Sequence, residues 1–419
     1  MVNQSRRTGD RGRRPHVLVV VQNLPLPGDR RVWLECQALR DAGYEVSAIT
    51  PKGKGDASYQ LLDGIHLYKY RPAAATDSFL SFVWEFAYSW LRTAGLSARA
   101  WRRNRVDVLQ ACNPPDTFWL LALIMRPFGT KFVYDQHDLC PELFQSRFPH
   151  PNPILHRALL ALERATYRTA HHIISTNESY RAKAIVRGRR DVADVTVVRT
   201  GPDTSRMRAE APDPARRNGS AHLVSYVGVM GPQDGVDIVI DAATHLVHTM
   251  GRTDVRFAVM GKGDCWDELS RMVVDRGLTP YVDMPGRVSD EDLFATLSSS
   301  DVGLSPDPPS PLNDVSTMNK TMEYMSFGLP VLAFDLPETR VSADSSAVYV
   351  AQPTPEAYAE ALAELLDDPN KRAEMGVAGR RRAAEVLDWR HQREAYLSVY
   401  RSFADDGEGV VAAAAVLTD

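Results

Sequence analysis

The stretch HVLVVVQNLPLPGDRRVWLECQALRDAGYEVSAIT, residues 16–50, decides the fold class of this chain. It begins with an apolar, β-branched run at 16–22, which is typical of a strand buried on both faces of a parallel sheet. A helical pattern follows over 30–42 and gives way to a second strand at 45–50. The stretch therefore predicts a strand–helix–strand unit with parallel strands.

The same alternation continues along the chain on both sides of one interruption. The interruption, between Pro202 and Ser220, is rich in Pro, Arg, Asp and Gly and has no periodicity, as expected at a domain boundary. Further strands are predicted at 65–70, 107–111, 131–135, 171–176, 194–200, 223–229, 255–261, 281–286, 302–306 and 330–335. We therefore predict an α/β fold with two doubly wound, Rossmann-like parallel-sheet domains.

The predicted organisation divides the chain into consecutive parts. These are a basic flexible N-terminus at 1–15, an N-terminal Rossmann-like domain at 16–205, a linker at 206–220, a C-terminal Rossmann-like domain at 221–385, a C-terminal helix at 386–404 that crosses back to the N-terminal domain, and a flexible tail at 405–419.

Composition excludes several classes of protein. With 49 Lys+Arg against 53 Asp+Glu, the net charge is −4, which disfavours nucleic-acid binding. The apolar share of 44% and charged share of 24% are ordinary for globular domains. Four cysteines lie far apart without a C-x-x-C pair, so neither a zinc site nor a disulfide framework is indicated. With no signal sequence or spanning segment recognised, we expect a cytoplasmic protein.

The densest group of chemically active side chains lies in 316–328, which predicts a short helix with Ser316 as N-cap and Gly328 just past its end. Ser316, Asn319, Lys320 and Glu323 share one helix face. A lysine with free helix amides suits a diphosphate, and a carboxylate suits a ribose diol. The alternative is a surface helix with an ordinary Lys/Glu pair.

Several blocks of sequence together resemble one known family. They are KTMEYMSFGLPVLAFD at 320–335, YDQHDLCPELF at 134–144, YVGVMGPQDGVDIVIDAATHL at 226–246 and FAVMGKGDCWDEL at 257–269. In content and order they resemble family 4 of the retaining glycosyltransferases of GT-B fold, and a branch used in bacterial surface-polysaccharide synthesis in particular.

The resemblance implies two domains that face each other across a cleft, and it assigns three catalytic residues. Glu323 would hold the nucleotide ribose, Lys320 would neutralise the departing diphosphate, and His137 would lie against the donor sugar. The family motif carries a further glutamate where this chain has Val315, so Ser316, Asn319 or Asp314 would have to replace its contacts with the donor sugar.

Other candidate residues lie at predicted strand ends, where ligands of open α/β sheets bind. Candidate donor-binding residues are Gly28, Gly228, Gly231, Gly261, Lys262, Arg287, Val288, Ser316 and Asn319, and candidate acceptor-binding residues are Asp138 and Glu142. The alternative for the glycines is a structural turn, and for the polar residues a solvated loop. No metal site is predicted, because His137 has no H-x-x-x-H partner and no suitable D-x-D motif is found.

Residues 79–105 combine aromatic residues with arginines and contain Glu85 as their one acidic residue. This composition suits an interfacial helix at the inner face of a membrane, where a lipid-linked acceptor would be found. The aromatic residues recur at every second position from Phe82 to Trp90, so burial of most of them is the alternative.

The resulting hypothesis is a retaining, metal-independent transferase that needs no cofactor. It would move a sugar from a nucleotide-diphosphate sugar, with UDP expected first and GDP second, to a hydroxyl of a sugar or lipid-linked acceptor in polysaccharide or glycoconjugate biosynthesis. Two alternatives stay open: a sugar-nucleotide epimerase of the same fold, and a non-catalytic nucleotide-sugar-binding partner.

Overall fold

A computed structural model of the chain describes residues 13–73, 79–148 and 150–405. These residues group into two units. Unit 1 takes the described residues of 1–141, 151–198 and 393–419, and unit 2 takes those of 142–150 and 199–392. The flexible ends predicted at 1–15 and 405–419 fall almost wholly outside the described residues.

Unit 1 is built on an eight-stranded sheet of the described residues. Its strands are β1 (His16–Val20), β2 (Glu45–Pro51), β3 (Tyr59–Leu62), β4 (Ile65–Tyr70), β5 (Val108–Cys112), β6 (Lys131–Gln136), β7 (His172–Ser175) and β8 (Val195–Val197). Their order is β3-β4-β2-β1-β5-β6-β7-β8. All neighbouring strands are parallel except β3, which is antiparallel to β4.

Helices follow most strands of unit 1, as the sequence alternation predicts. They are α1 (Arg30–Asp41), α2 (Phe79–Arg103), α3 (Trp119–Met125), α4 (Cys140–Arg147), α5 (Pro153–Thr169) and α6 (Glu178–Gly188), of which α4 runs across the boundary between the units. The central strands are buried along their whole length, and Leu18, Leu109 and Phe132 pack with Tyr134 and Tyr167 into one core.

Unit 2 contains a six-stranded, wholly parallel sheet in its described residues. Its strands are β9 (His222–Val227), β10 (Val255–Met260), β11 (Val282–Gly286), β12 (Val302–Ser305), β13 (Val331–Phe334) and β14 (Ala347–Val350). The order β11-β10-β9-β12-β13-β14 reverses direction between β9 and β12. Such a topological switch point is where open α/β sheets bind ligands.

The helices that cover or follow this sheet are α7 (Val236–Thr244), α8 (Trp266–Asp275), α9 (Asp290–Ser299), α10 (Asn319–Phe327), α11 (Pro337–Ala343), α12 (Pro355–Asp367), α13 (Pro369–Arg382) and α14 (Trp389–Asp405). From Arg393 onward, α14 groups with unit 1. The sequences SDED at 289–292 and TPE at 354–356 are typical of helix N-caps, and Ser289 and Thr354 do accept hydrogen bonds from the amides of Asp292 and Ala357.

The doubly wound fold class is confirmed in both units, and the differences lie at element ends and sheet edges. The sequence analysis missed β3 and β14, and β8 is shorter than the predicted strand at 194–200. Residues 206–220, predicted as a linker, are described with unit 2, where Arg217 pairs with Asp301 at 2.6 Å. Among the described residues, no helix is long and apolar enough to cross a membrane.

Candidate functional site

Three loops of unit 2 meet where β9, β10 and β12 end. Because parallel strands point their carboxyl ends to the same edge, the turn at 228–235, the loop at 261–264 and the loop at 306–318 lie on one side of the sheet. A side chain at Gly261 would have its Cβ only 1.8 Å from the Gly228 carbonyl oxygen, and Gly261 has a φ of +140°. Glycine is therefore needed there for the first two loops to pack together.

Lys320 of α10 lies at this edge in an ion pair with Asp307, a residue that the sequence analysis missed. Its Nζ donates to Oδ1 of Asp307 at 2.5 Å and lies 5.3 Å from the ring centre of Tyr226. Both charged side chains are buried. Burial lowers the pKa of Lys320, but the attraction of Asp307 and Asp234 outweighs burial and raises that pKa above its ordinary value. Lys320 therefore keeps its positive charge in the interior.

Asp234 accepts a hydrogen bond from one backbone amide of the glycine-containing turn at 228–235. Its Oδ2 accepts a hydrogen bond from the Gly231 amide at 2.8 Å and a second from Gln233 Nε2 at 3.2 Å. Burial raises the pKa of Asp234 to about 6 because it outweighs the attraction of Lys320, and the charge of Asp307 adds a smaller increase. The site thus holds one lysine and two carboxyl groups.

The other residues predicted for the site on and before α10 differ in their exposure and in their hydrogen bonds. Asn319 is exposed and Glu323 is half-buried. Ser316 does not cap the helix, and that prediction is wrong: its hydroxyl donates to the Leu312 carbonyl at 2.8 Å, because a turn at 313–315 precedes it and Met318 occupies the cap position. The predicted end of α10 is confirmed, with Gly328 in the left-handed conformation at φ +74°.

The remaining predicted donor residues of unit 2 lie at neighbouring strand ends. Lys262 is exposed, with its Nζ 4.8 Å from the ring centre of Trp266. After β11, Arg287 is exposed and Val288 packs partly buried against the apolar cluster between α9 and α10.

In unit 1, His137 belongs to a buried polar cluster at the end of β6. Its Nε2 lies 2.9 Å from Oδ2 of Asp135, and Asp135 Oδ1 accepts from Arg31 Nη2 at 3.0 Å. Arg31 also donates to the Val198 carbonyl at 2.8 Å and lies 3.0 Å from Oε1 of Glu35. The sequence analysis identified His137 but not its connection to Arg31 and Glu35, which i, i+4 spacing on α1 brings to the same place.

The two carboxyl groups of this cluster differ in protonation. Burial and the charge of Asp135 raise the pKa of Glu35 well above its usual value. Burial also acts to raise the pKa of Asp135, but His137 and Arg31 outweigh it and hold that pKa well below its usual range. The cluster therefore favours the Arg31 cation, the charged form of Asp135 and the neutral form of Glu35.

This cluster contains residue types that bind metals, but its charges do not suit a metal ion. Ligand atoms of Glu35, Cys112, Asp135 and His137 lie within 4.8 Å of one another. However, the Arg31 guanidinium already supplies the positive charge, and burial raises the pKa of the Cys112 thiol well above its usual value, so it stays protonated. A metal ion needs the deprotonated thiolate as its ligand, and a guanidinium paired with the same carboxylate repels a cation. The group does not fit a metal ion.

The last predicted residues are Gly28, Asp138 and Glu142. Gly28 is exposed in the loop before α1, and an added Cβ would lie 2.9 Å from the Pro25 carbonyl oxygen. The Asp138 amide donates to Oδ1 of Asn113 at 3.1 Å in unit 1. Glu142 is buried and groups with unit 2.

Comparison with protein families matches both halves of the chain. A model described as glycosyl transferase 4-like domain matches residues 28–201, and one described as glycosyl transferases group 1 matches residues 221–368. The chain belongs to the family 4 glycosyltransferases of GT-B fold. The match to a glycosyltransferase family disfavours the epimerase and the non-catalytic partner as alternatives for this family 4 protein.

One curated relative of this family 4 protein is the GDP-mannose-dependent alpha-(1-6)-phosphatidylinositol monomannoside mannosyltransferase of Mycolicibacterium smegmatis. It is 30% identical over 203 residues, which cover 45% of this chain and 52% of the relative. Across the first three curated relatives, the matched stretches span 38–52% of the relative's length.

Solved structures share the fold over nearly the whole chain. Sucrose-phosphate synthase from Thermosynechococcus elongatus has a TM-score of 0.74 at 16% identity, covering 94% of this chain and 100% of that one. Anabaena HepE in complex with UDP-glucose has a TM-score of 0.66 at 15% identity, covering 92% and 99%. At these identities the likeness establishes the fold alone.

Proposed function

We propose that this chain transfers a sugar from a nucleotide-diphosphate sugar to an acceptor hydroxyl with retention of anomeric configuration and without a metal ion. The observation that carries the proposal is Lys320, a buried ammonium kept charged at the topological switch point of unit 2. A group of this kind stabilises the charge that develops on a departing diphosphate.

Within this proposal, α10 and the glycine turn bind the donor. The amino end of α10 and Lys320 face the diphosphate, the Gly231 amide becomes available when Asp234 moves or is protonated, and Glu323 binds the ribose. Gly228, Gly261, Lys262, Arg287, Val288, Ser316 and Asn319 complete the donor-binding set.

The donor sugar and the acceptor are assigned to residues of unit 1 and to Glu142, which groups with unit 2. His137 contacts the donor sugar, Gly28 allows the diphosphate to approach, and Asp138 and Glu142 contact the acceptor. The leaving phosphate oxygen takes the proton of the acceptor hydroxyl, and that hydroxyl oxygen forms the new bond to the anomeric carbon as the bond to phosphate breaks. No nucleophile from the protein is required, and exclusion of water suppresses hydrolysis.

For the donor we propose a UDP-sugar first and a GDP-sugar second. HepE was solved with UDP-glucose, and the M. smegmatis relative is named for GDP-mannose. Both are nucleoside diphosphates, and the proposed Lys320 and helix-end contacts do not distinguish the bases.

For the acceptor we propose a sugar or lipid-linked hydroxyl in polysaccharide or glycoconjugate biosynthesis, reached from the cytoplasmic face of a membrane. The outward face of α2 carries Trp84 and Leu91, each 62% exposed, and Arg92, Arg99 and Arg102 lie exposed along the same helix. Exposed apolar side chains beside arginines fit an anionic lipid surface.

Two assays test the proposal. Thermal shift of the full chain with UDP, GDP, ADP and TDP, each with and without EDTA, is expected to give a selective shift that EDTA leaves unchanged. Transfer from the matching nucleotide sugar is then expected to give a product whose anomeric configuration, read by NMR, is that of the donor. A shift abolished by EDTA contradicts metal independence, and the absence of any shift and any transfer contradicts the donor site.

Two variants assign the roles. Lys320→Ala is expected to lower kcat on the order of a hundredfold, as for removal of one group that stabilises developing charge. Glu323→Ala is expected to weaken nucleotide binding about tenfold, equivalent to one hydrogen bond to a charged group. Lys371→Ala removes an exposed lysine of α13 and serves as the matched control. Unchanged kinetics in both site variants would overturn the assignment.

A further inference from the structure

Two tyrosines of α14 are hydrogen-bonded to Gln110, which is in turn hydrogen-bonded to the buried cluster around His137. Tyr396 donates to Oε1 of Gln110 at 2.6 Å, and Tyr400 donates to the same oxygen, although these tyrosines lie 286 and 290 residues further along the chain. All three side chains are buried in unit 1. Burial raises the pKa of both phenols well above the ordinary value, so they remain hydrogen-bond donors at neutral pH.

Two donors on Oε1 fix which way the Gln110 amide points. With its oxygen held by the tyrosines, its Nε2 donates to Oε2 of Glu35 at 2.8 Å and to Oδ2 of Asp135 at 2.9 Å. A reversed amide would place its oxygen against two carboxyl groups and its NH2 against two hydroxyl donors. The orientation of Gln110 is therefore determined by its surroundings.

Asp135 in turn acts on His137. Its Oδ1 is held by Arg31 and its Oδ2 by Gln110, so the carboxylate cannot rotate without losing a charge-assisted hydrogen bond. Nε2 of His137 lies 2.9 Å from Oδ2 of Asp135, and Nε of Arg31 is placed to donate to the same Nε2 at 3.2 Å, so the two contacts require opposite protonation of this nitrogen. The shorter contact, to an anion, is satisfied when Nε2 carries the proton.

We propose that Tyr396, Tyr400, Gln110 and Asp135 form a positioning relay that fixes the proton of His137 on Nε2 and leaves Nδ1 to accept a hydrogen bond from a hydroxyl of the donor sugar. The role of His137 toward the sugar rests on the proposed function. The relay residues do not touch substrate, and they act through the orientation and tautomer of the imidazole.

The direct test needs no variant and no substrate. In the full chain labelled with ¹⁵N-histidine, long-range ¹H–¹⁵N spectra report which ring nitrogen carries the proton, and a His137→Gln variant assigns the signal. A proton on Nε2 supports the relay, and a proton on Nδ1 overturns it.

Variants test the two ends of the relay. In Asp135→Asn, the amide can donate to Nε2, so the proton is expected to move to Nδ1. The double variant Tyr396→Phe/Tyr400→Phe removes both donors to Gln110 and is expected to increase the Nδ1 form and to lower kcat about tenfold with little change in KM. Tyr358→Phe, which removes a buried hydroxyl that donates to the Leu332 carbonyl in unit 2, is the matched control.

The outcomes separate the relay from the proposed function. If the His137 proton stays on Nε2 in the double tyrosine variant and kcat equals that of Tyr358→Phe, the proposed contribution of α14 is wrong. If the His137 proton is on Nε2 but the chain transfers no sugar from any donor, the relay is supported and the proposed function is overturned. Asp135→Asn that fails to fold leaves the wild-type spectrum and the tyrosine variants to decide.

Discussion

The carboxyl groups of Glu35 and Asp135 illustrate how far a residue's chemistry depends on its neighbours. Both are buried beside the same guanidinium and the same amide. Because burial penalises a second negative charge more than Arg31 can compensate, the cluster keeps one anion, on Asp135. Both side chains end in a carboxyl group, so the sequence alone does not show which of the two is charged.

This difference predicts unequal costs for two matched substitutions. Asp135→Asn leaves Arg31 as a buried cation without an anion and is expected to lower the free energy of unfolding by about 3–5 kcal/mol. Glu35→Gln replaces an uncharged group with another and is expected to change it by about 1 kcal/mol or less. Chemical denaturation at pH 7 measures both, and equal losses would show that Glu35 is ionised.

Asp234 gives a pH-dependent prediction. The pKa of Asp234 is about 6 in the folded chain and 3.8 in the reference state. Between these pH values the folded chain binds more protons than the unfolded chain. The free energy of unfolding therefore falls as pH rises through this window. Asp234→Asn keeps the acceptor for the Gly231 amide and is expected to gain on the order of 1–3 kcal/mol relative to wild type between pH 4 and pH 7.

Denaturation at pH 4 and pH 7 checks the prediction for Asp234. Asp237→Asn, which removes an exposed carboxylate in the first turn of α7, is the control. A stability difference between Asp234→Asn and wild type that does not grow with pH would contradict the raised pKa of Asp234.

At the scale of elements, the sequence predicted what hydrophobic runs and capping residues encode locally. Buried parallel strands such as β1 and β4, and the cap at Ser289, were predictable because each signal lies within a few residues. The edge strand β3 was missed because its alternating half-buried pattern over four residues is short and weak. Ser316 was misassigned because a turn that sequence does not reveal precedes α10.

The helix α2 carries a prediction of its own. Trp84 and Leu91 lie i, i+7 on its outward face, so Trp84→Ser/Leu91→Ser is expected to reduce cosedimentation with anionic phospholipid vesicles severalfold at unchanged thermal stability. Val377→Ser, at an exposed apolar position of α13, is the matched control. Equal vesicle binding by wild type and the double variant would contradict a lipid-facing α2.

At the scale of the molecule, the two doubly wound sheets followed from the alternation of strands and helices, but the partners of the site residues did not. Lys320, Glu323 and His137 were identified by motif. Asp307 and Arg31 were not, because each reaches its partner through folding of separate segments, and no local pattern distinguishes them from solvated charges.

The grouping of α14 with unit 1 beyond Arg393 bears on how this protein can be recombined with its relatives. A chimaera that exchanges the N-terminal half alone would combine the Gln110 of one parent with the tyrosines of the other. The exchangeable module is discontinuous: it must carry residues 393–405 together with the first sheet. Gene fusions that join parents at a single crossover near residue 200 break that module, and a second crossover before Arg393 restores it.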